Sequence, residues 1–204
     1  MDADVAANRR AWEMASEKHV REYDQLLAEA AEAELLETEV RLLRDVLQDR
    51  PLVVHLQSGH GVDDVALVNA GARRVVGVDY SVTAATAAHR RAVQLDKNCR
   101  YVVAEVPGVP LRDASADLVY TGKGALIWMR DIRAWAADAA RPLKPGGQLF
   151  VYEAHPTVPL WSWDEDEPRI RADRSYFSGS HLNDSFPANG ARSGSGPSAR
   201  SSPL

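Results

Sequence analysis

The chain has 204 residues, of which 45% are hydrophobic, and this is enough for one domain with a sizeable core. The net charge of -5 and the absence of a clustered run of Lys and Arg argue against a nucleic-acid surface, which needs many cations. Cys99 is the single cysteine, which excludes a disulfide framework and a thiolate zinc site.

Membrane insertion and secretion also lack support in the sequence. No apolar run is long enough to span a bilayer, and the N-terminus has no apolar signal core. We therefore expect a cytoplasmic protein that binds neither membrane nor nucleic acid, and we identify no metal ligands.

Residues 1–50 are predicted to form helices. Leu36, Val40, Leu43 and Leu47 recur at spacings of four, three and four, which predicts a helix with one apolar stripe. We expect this stripe to lie in the core and the many Glu residues around it to face solvent.

Residues 51–81 are predicted to form a strand, a glycine loop, a helix and a second strand. Leu52–Leu56 is rich in β-branched residues, and the helix is expected from Val62 to Ala70. The second strand, from Val75 to Val78, ends in Asp79. An acidic residue about 20 positions past a glycine turn is well placed to accept hydrogen bonds from ribose hydroxyls.

The charge of the loop indicates which cofactor it binds. A phosphate-binding version of the motif has a third glycine where Asp64 stands, and Asp63 precedes it. Two carboxylates at a helix N-terminus would repel a pyrophosphate. A cofactor with a cationic amino group and no phosphate suits the loop better, which indicates S-adenosylmethionine.

The next elements continue the strand and helix alternation. A helix is predicted from Val82 to Leu95 with Ser81 as its N-cap, and a strand from Arg100 to Ala104. Another strand is predicted from Asp117 to Tyr120, and Trp135 is expected in the core.

Leu143–Gly147, which reads LKPGG, predicts a turn before a fifth strand from Gln148 to Glu153. His155 follows that strand and is the candidate general base if the acceptor is a hydroxyl. The alternative is that His155 only bonds neighbouring backbone.

The remaining chain is less organised. Residues 157–177 are interpreted as a connector or a substrate loop, and residues 178–204 as a disordered tail. A change of reading frame near Arg192 is one hypothesis for this tail. If the fifth strand has no neighbour, its exposed edge could support a homodimer.

Two stretches carry a resemblance to a known family. Val53–Gly61 resembles the first motif of class I S-adenosylmethionine-dependent methyltransferases, and Val75–Ser81 resembles the second. The loop also resembles that of a bacterial subgroup acting on small molecules, and the LKPGG turn is frequent in the family. His55 and Gln57 depart from the pattern, because many relatives have an acidic residue and a glycine there.

The resemblance implies an α/β, Rossmann-like fold with a parallel sheet of strand order 3-2-1-4-5 and helices on both faces. Residues 1–50 would form a helical lid that Trp12, His19 or Tyr23 could line, with the alternative that the aromatic residues only anchor the first helix. Residues 51–156 would form the cofactor-binding core. The C-terminal antiparallel strand pair of the family would be missing. The acceptor would be a small molecule, with O-, N- and C-methylation left open.

By the same resemblance, Asp79 would bind the ribose, Glu105 the adenine amino group, and the glycine loop the methionine part. The full predicted set for S-adenosylmethionine is Gln57, Ser58, Gly59, His60, Gly61, Asp79, Tyr80, Glu105, Val106 and Thr121. A nicotinamide-dependent oxidoreductase and a catalytically impaired cofactor-binding protein are the alternatives.

Overall fold

The computed structural model describes residues 3–162, 167, 169–178, 180–182 and 192–193. The chain divides into two compact units. The larger unit comprises Trp12–Thr121 and Ala134–Val151, and the smaller comprises Met1–Ala11, Gly122–Arg133 and Tyr152–Leu204.

The described helices and strands alternate through the middle of the chain. The α-helices are α1 (Ala3–Ser16), α2 (Lys18–Arg21), α3 (Tyr23–Ala31), α4 (Glu37–Gln48), α5 (Val62–Asn69), α6 (Val82–Gln94) and α7 (Ile132–Ala140). Short 3-10 helices span Leu126–Trp128 and Val158–Leu160. The strands are β1 (Leu52–Leu56), β2 (Arg74–Asp79), β3 (Cys99–Val103), β4 (Ala116–Gly122), β5 (Leu143–Tyr152), β6 (Trp161–Ser162), β7 (Arg169–Ile170), β8 (His181–Leu182) and β9 (Arg192–Ser193).

A five-stranded sheet of order β3-β2-β1-β4-β5 organises the fold. Strand β1 pairs in parallel with β2 and with β4, and β2 pairs in parallel with β3. The α/β Rossmann-like fold and the strand order predicted from the sequence are confirmed. In the part of the chain that the structure describes, the antiparallel pairs β6–β7 and β8–β9 stay separate from this sheet.

The core of the larger unit forms where helices cover the parallel strands. β-Branched residues of β1 and β2 fill its centre, since a parallel strand between helices is buried on both faces. The buried cluster contains Ala33, Leu35, Leu43, Leu47, Val53, Ala66, Leu67, Ala72, Val75, Ala92, Cys99, Leu118 and Tyr120.

The predicted apolar stripe of α4 is only half buried. Leu43 and Leu47 lie in the core, but Leu36 and Val40 are each 46% exposed. Glu39, expected to face solvent with the other Glu residues, is completely buried. Its carboxylate accepts the Tyr120 hydroxyl hydrogen and, at 2.8 Å, the N–H of Leu36. The helix therefore presents a narrower apolar face to the core, because a carboxylate with two donors occupies part of it.

Strand β5 begins earlier than predicted. The LKPGG segment was expected to be a turn before Gln148, but the strand already includes Leu143, and Gly146 keeps a positive φ of 81° within it. Lys144 Nζ lies 2.6 Å from Asp117 Oδ1, which fixes the start of β5 beside β4. Pairing with β4 therefore outweighs the local turn preference.

Within residues 178–204, predicted to be a disordered tail, the structure describes the two-residue strands β8 and β9, and the disorder of the tail stays a prediction. Most of this tail, including nearly all of the stretch that motivated the reading-frame hypothesis, lies outside the described residues.

The burial difference within α4 gives a matched pair of variants. Replacing Leu43 with Ala leaves a cavity, and we expect the free energy of unfolding to fall by about 2–5 kcal/mol. Leu42, its neighbour, is 53% exposed, and Leu42→Ala should change stability by no more than about 0.5 kcal/mol. Urea denaturation of both variants measures the difference, and equal losses would contradict the placement of α4.

Candidate cofactor site

The carboxyl ends of the parallel strands bring the predicted cofactor residues to one edge of the sheet. Gln57 follows β1, Asp79 ends β2, and Glu105 lies just beyond β3. Leu56 is paired with Val78, and Asp79 with Val103, so these strands end side by side. Ligands of open parallel sheets bind outside this edge. The residues gathered there are the ten predicted for the cofactor, all of which belong to the larger unit.

Asp79 is held by backbone donors on both sides. Its Oδ2 accepts the N–H of Gly59 at 2.9 Å, and its Oδ1 accepts the N–H of Ser81 at 2.8 Å. Burial raises the pKa of Asp79 above its ordinary value, although these two hydrogen bonds act in the opposite direction. Each carboxylate oxygen has more than one acceptor site, so the ordered carboxylate can still receive hydroxyl donors.

The two loop glycines have different roles. Gly61, at φ 80°, is the N-cap of α5, and a Cβ on it would lie 2.5 Å from Tyr101 Oη and 2.7 Å from Ala88 Cβ. Gly59, at φ 55°, has no atom within 4 Å of the same position. Gly61 is therefore required for packing beneath the loop, whereas Gly59 is required only for its backbone conformation.

Gln57 adopts the left-handed conformation that a glycine would favour, with φ 57°. Such a conformation costs a non-glycine residue about 1–3 kcal/mol. Its side-chain Oε1 accepts a hydrogen bond from Trp135 Nε1 at 3.0 Å, and this contact helps to offset the strain. Trp135 is buried, so its predicted place in the core is confirmed. The contact between these two residues was not predicted from the sequence.

A buried polar pair lies beneath the loop. His55 and Asp64 are 3% and 0% exposed, and the His55 Nδ1 atom lies 2.6 Å from Asp64 Oδ1. His55 stands where many relatives have an acidic residue, and Asp64 stands where the phosphate-binding motif has a glycine, so these two substitutions could have predicted the contact. Asp63 and Asp64 occupy the first turn of α5, where a pyrophosphate would meet their charge. The site therefore fits a cofactor that carries no phosphate.

Two further members of the predicted set are used by the scaffold. Thr121 is buried and donates its hydroxyl hydrogen to the carbonyl oxygen of Leu56 at 3.1 Å. The Ser58 N–H donates to the carbonyl oxygen of Val78 at 3.0 Å, which ties the loop to β2. Their direct contact with a cofactor stays a prediction, as it does for Tyr80, Glu105 and Val106.

His155, the predicted general base, belongs to the smaller unit and is exposed. Its Nδ1 atom lies 2.9 Å from Thr157 Oγ1 and accepts the Thr157 N–H at 3.3 Å. These contacts resemble the alternative of bonding to neighbouring residues, and the catalytic role stays a prediction. Nearby, Glu153 Oε1 accepts N–H groups of Gly124, Ala125 and Leu126, which sequence reasoning did not foresee.

Neither a membrane span nor a metal cluster is found within the described ranges. No helix there is long and apolar enough to cross a bilayer. No group of three or more His, Cys, Asp and Glu side chains in those ranges is arranged to hold a metal ion.

Comparison with known proteins identifies the class of the domain. Residues 53–147 match the family model of the methyltransferase domain. A segment of 50 residues is 45% identical to malonyl-[acyl-carrier protein] O-methyltransferase of Hahella chejuensis, covering 24% of this chain and 18% of that protein.

Solved structures agree with that class. An S-adenosylmethionine-dependent methyltransferase from Mesorhizobium loti superposes with a TM-score of 0.62 at 25% identity, covering 77% of this chain and 73% of that one. A putative S-adenosylmethionine-dependent methyltransferase from Methanococcus maripaludis shares the fold, with a TM-score of 0.51 at 16% identity over 72% of this chain and 64% of that one.

The fold is that of a class I methyltransferase. Over residues 53–147 the chain is similar to the methyltransferase-domain family.

The different surroundings of the two loop glycines lead to a prediction. Gly61→Ala should lower the free energy of unfolding by about 3 kcal/mol or more, because it adds a steric clash to left-handed strain. Gly59→Ala meets open space and should cost only about 1 kcal/mol of strain. Denaturant titration of both variants without ligand measures the two costs, and a Gly59→Ala loss as large as that of Gly61→Ala would contradict the packing described for the loop.

Proposed function

We propose that this protein is an S-adenosylmethionine-dependent methyltransferase that acts on a small-molecule acceptor. The observation that carries the proposal is the combination of an ordered Asp79 carboxylate with an acidic N-terminus of helix α5. The first suits a ribose, and the second disfavours a phosphate-bearing cofactor. The methyltransferase-domain match over residues 53–147 supports the same reading.

In this proposal each strand end has a separate task. Asp79 accepts hydrogen bonds from the ribose hydroxyls, Glu105 accepts one from the adenine amino group, and the loop Gln57–Gly61 holds the methionine part. The cofactor supplies an electrophilic methyl group bound to a sulfonium sulfur. The chain then contributes mainly by holding the acceptor close and aligned and by excluding water.

A nicotinamide-dependent oxidoreductase is the competing enzyme class. It would share Asp79 and the glycines, but its pyrophosphate would lie at the N-terminus of α5, where Asp63 and Asp64 stand. A protein that binds the cofactor without turnover is the second alternative, and methyl-transfer assays distinguish it from an enzyme.

The acceptor is proposed only as a class. The named activity of the Hahella chejuensis relative concerns a malonyl group on a carrier protein, but the matched segment covers 18% of that protein. A carboxylic acid is therefore one acceptor to test beside phenols and amines. A cytoplasmic location and a homodimer are also proposed; the exposed Leu149 and Val151 side chains of β5 support the second.

We propose His155 as the general base for a hydroxyl acceptor. The imidazole is exposed. When Nδ1 of the neutral ring accepts the Thr157 N–H, the single ring proton is on Nε2. Proton removal by Nε2 then requires the other tautomer, with the Thr157 hydroxyl oxygen accepting from Nδ1.

The cofactor is tested by calorimetric titration with S-adenosylhomocysteine, S-adenosylmethionine and NAD. We expect binding of the two adenosyl ligands and none of NAD. Asp79→Asn removes a charged acceptor and should weaken S-adenosylhomocysteine binding about ten- to hundredfold. The exposed Asp96→Asn is the matched control and should bind normally. Tight NAD binding, or unchanged affinity in Asp79→Asn, would overturn the proposed site.

The base is tested with a panel of phenols, carboxylic acids and amines and methyl-labelled S-adenosylmethionine. For a phenol that is methylated, His155→Gln should lower kcat by about a hundredfold or more while S-adenosylhomocysteine affinity stays unchanged. Thr157→Val, which removes the neighbouring hydroxyl, should have a smaller effect. If His155→Gln retains full kcat, His155 is not the base.

A further inference from the structure

Helix α2 has one side chain that is not exposed, that of His19. It spans four residues, its N-cap Glu17 makes no side-chain cap, and none of its residues is fully buried. Lys18, Val20 and Arg21 are exposed, whereas His19 is not. So short a helix has little stability of its own, and its position depends on its contacts with the rest of the unit, including those of His19.

His19 contacts the predicted cofactor loop. Its ring stacks on that of His60, with centroids 4.4 Å apart and planes inclined by 3°. His60 lies between Gly59 and Gly61, the two glycines of the loop, both of which have positive φ. Stacked aromatic pairs contribute beyond the area that they bury. The pair therefore joins helix α2 directly to the loop.

A buried cation lies beside this pair. Arg91 of α6 is 1% exposed, and its Nη2 donates a hydrogen bond to the carbonyl oxygen of His60. Its Nε and Nη1 atoms are buried and have no hydrogen-bond partner among the described residues. A proton on either imidazole would add a second positive charge in a poorly solvated space.

Other contacts hold the neighbouring helices on α6 instead of on the loop. Glu13 Oε1 accepts hydrogen bonds from the Thr83 N–H at 3.2 Å and the Thr83 hydroxyl at 2.6 Å. Tyr23 donates its hydroxyl hydrogen to Gln94, and the Arg90 guanidinium lies 4.6 Å from the centre of its ring. These anchors remain when the stacked pair is broken, so the loop can be released without undocking the whole segment.

We propose that His19 is a positioning residue that holds the cofactor loop in its binding conformation by stacking on His60, and that mild acid releases the loop. Docking of α2 and binding of the cofactor then stabilise each other, because both need the same loop conformation. The inference rests on the proposed function, in which the loop binds the cofactor.

The pKa shifts of the two histidines support the proposal that mild acid releases the loop. Burial, His60, Arg91 and Lys18 lower the pKa of His19 to about 4. Burial and Arg91 lower the pKa of His60, while Asp63, Asp64 and Glu29 act in the opposite direction. A released histidine titrates near pH 6.5, so below that pH the released state binds protons that the stacked state does not. The stacked state is therefore fully favoured above this range and is lost as the pH falls from about 6.5 towards 4.

The test is S-adenosylhomocysteine affinity across pH 5–8 for five variants. His19→Ala should weaken binding about two- to tenfold at pH 7.5, and His19→Ala/His60→Ala should be no weaker than His60→Ala alone. His19→Phe keeps the stack but cannot be charged, so it should bind normally at pH 7.5 and lose less affinity at pH 5.5 than the wild type. His89→Ala, an exposed histidine of α6, is the matched control.

Three outcomes would overturn the inference: normal affinity in His19→Ala, additive losses in the double variant, or the wild-type pH dependence in His19→Phe. Asp79 also titrates, with a raised pKa, but it is common to all variants and cancels in the comparison.

A readout without ligand separates this inference from the proposed function. Hydrogen exchange, compared at one pH, should be faster in His19→Ala for residues 18–21 and 57–61 and unchanged for residues 82–94. Absence of S-adenosylhomocysteine binding in the wild type would reject the proposed function. Unchanged exchange in both peptides would reject the role of His19 whether or not the cofactor binds.

Discussion

A fully buried carboxylate in the first turn of α5 is the constraint on which the loop end of the sheet depends. Asp64 is removed from water, and the His55 Nδ1 atom lies 2.6 Å from it. A charge in such a place must be paired, because removing one partner of a buried pair typically costs about 3–5 kcal/mol. The pair joins β1 to α5, the two elements on either side of the loop. It therefore fixes both ends of the segment that is proposed to hold the cofactor.

The loop is then fixed by neighbours of three different kinds. Asp79 accepts its Gly59 N–H, Trp135 donates to Gln57, and His60 stacks on His19. These contacts come from β2, α7 and α2. The conformation of the loop Gln57–Gly61 therefore depends on the packing of several elements of the larger unit. The same arrangement concentrates acidic groups at the helix N-terminus, and it is this charge that favours a cofactor without phosphate.

Much of the fold could be predicted because its signals are local. Runs of β-branched residues and a glycine loop indicated the strands, and the family resemblance implied their order. Ser81 was correctly predicted as an N-cap, since its Oγ accepts the Ala84 N–H at 3.0 Å. The errors came from contacts between distant residues. Glu39 is buried because Tyr120, 81 positions away, donates to it. Likewise, the partners of His55, Gln57 and His19 are decided by packing, which periodicity does not encode. The Pro-Gly-Gly segment was misread because pairing with β4 outweighed its turn preference.

The clash distances around Gly61 limit how this sequence can diversify. Because a methyl group at position 61 would meet Ala88 Cβ at 2.7 Å and Tyr101 Oη at 2.5 Å, the three positions share one small volume. A residue larger than Ala at position 88 would clash with the loop, as a side chain added at position 61 would. In a random library that varies the loop alone, most variants with a substitution at position 61 would therefore be unfolded. Libraries that vary positions 61, 88 and 101 together would reach combinations that single substitutions cannot.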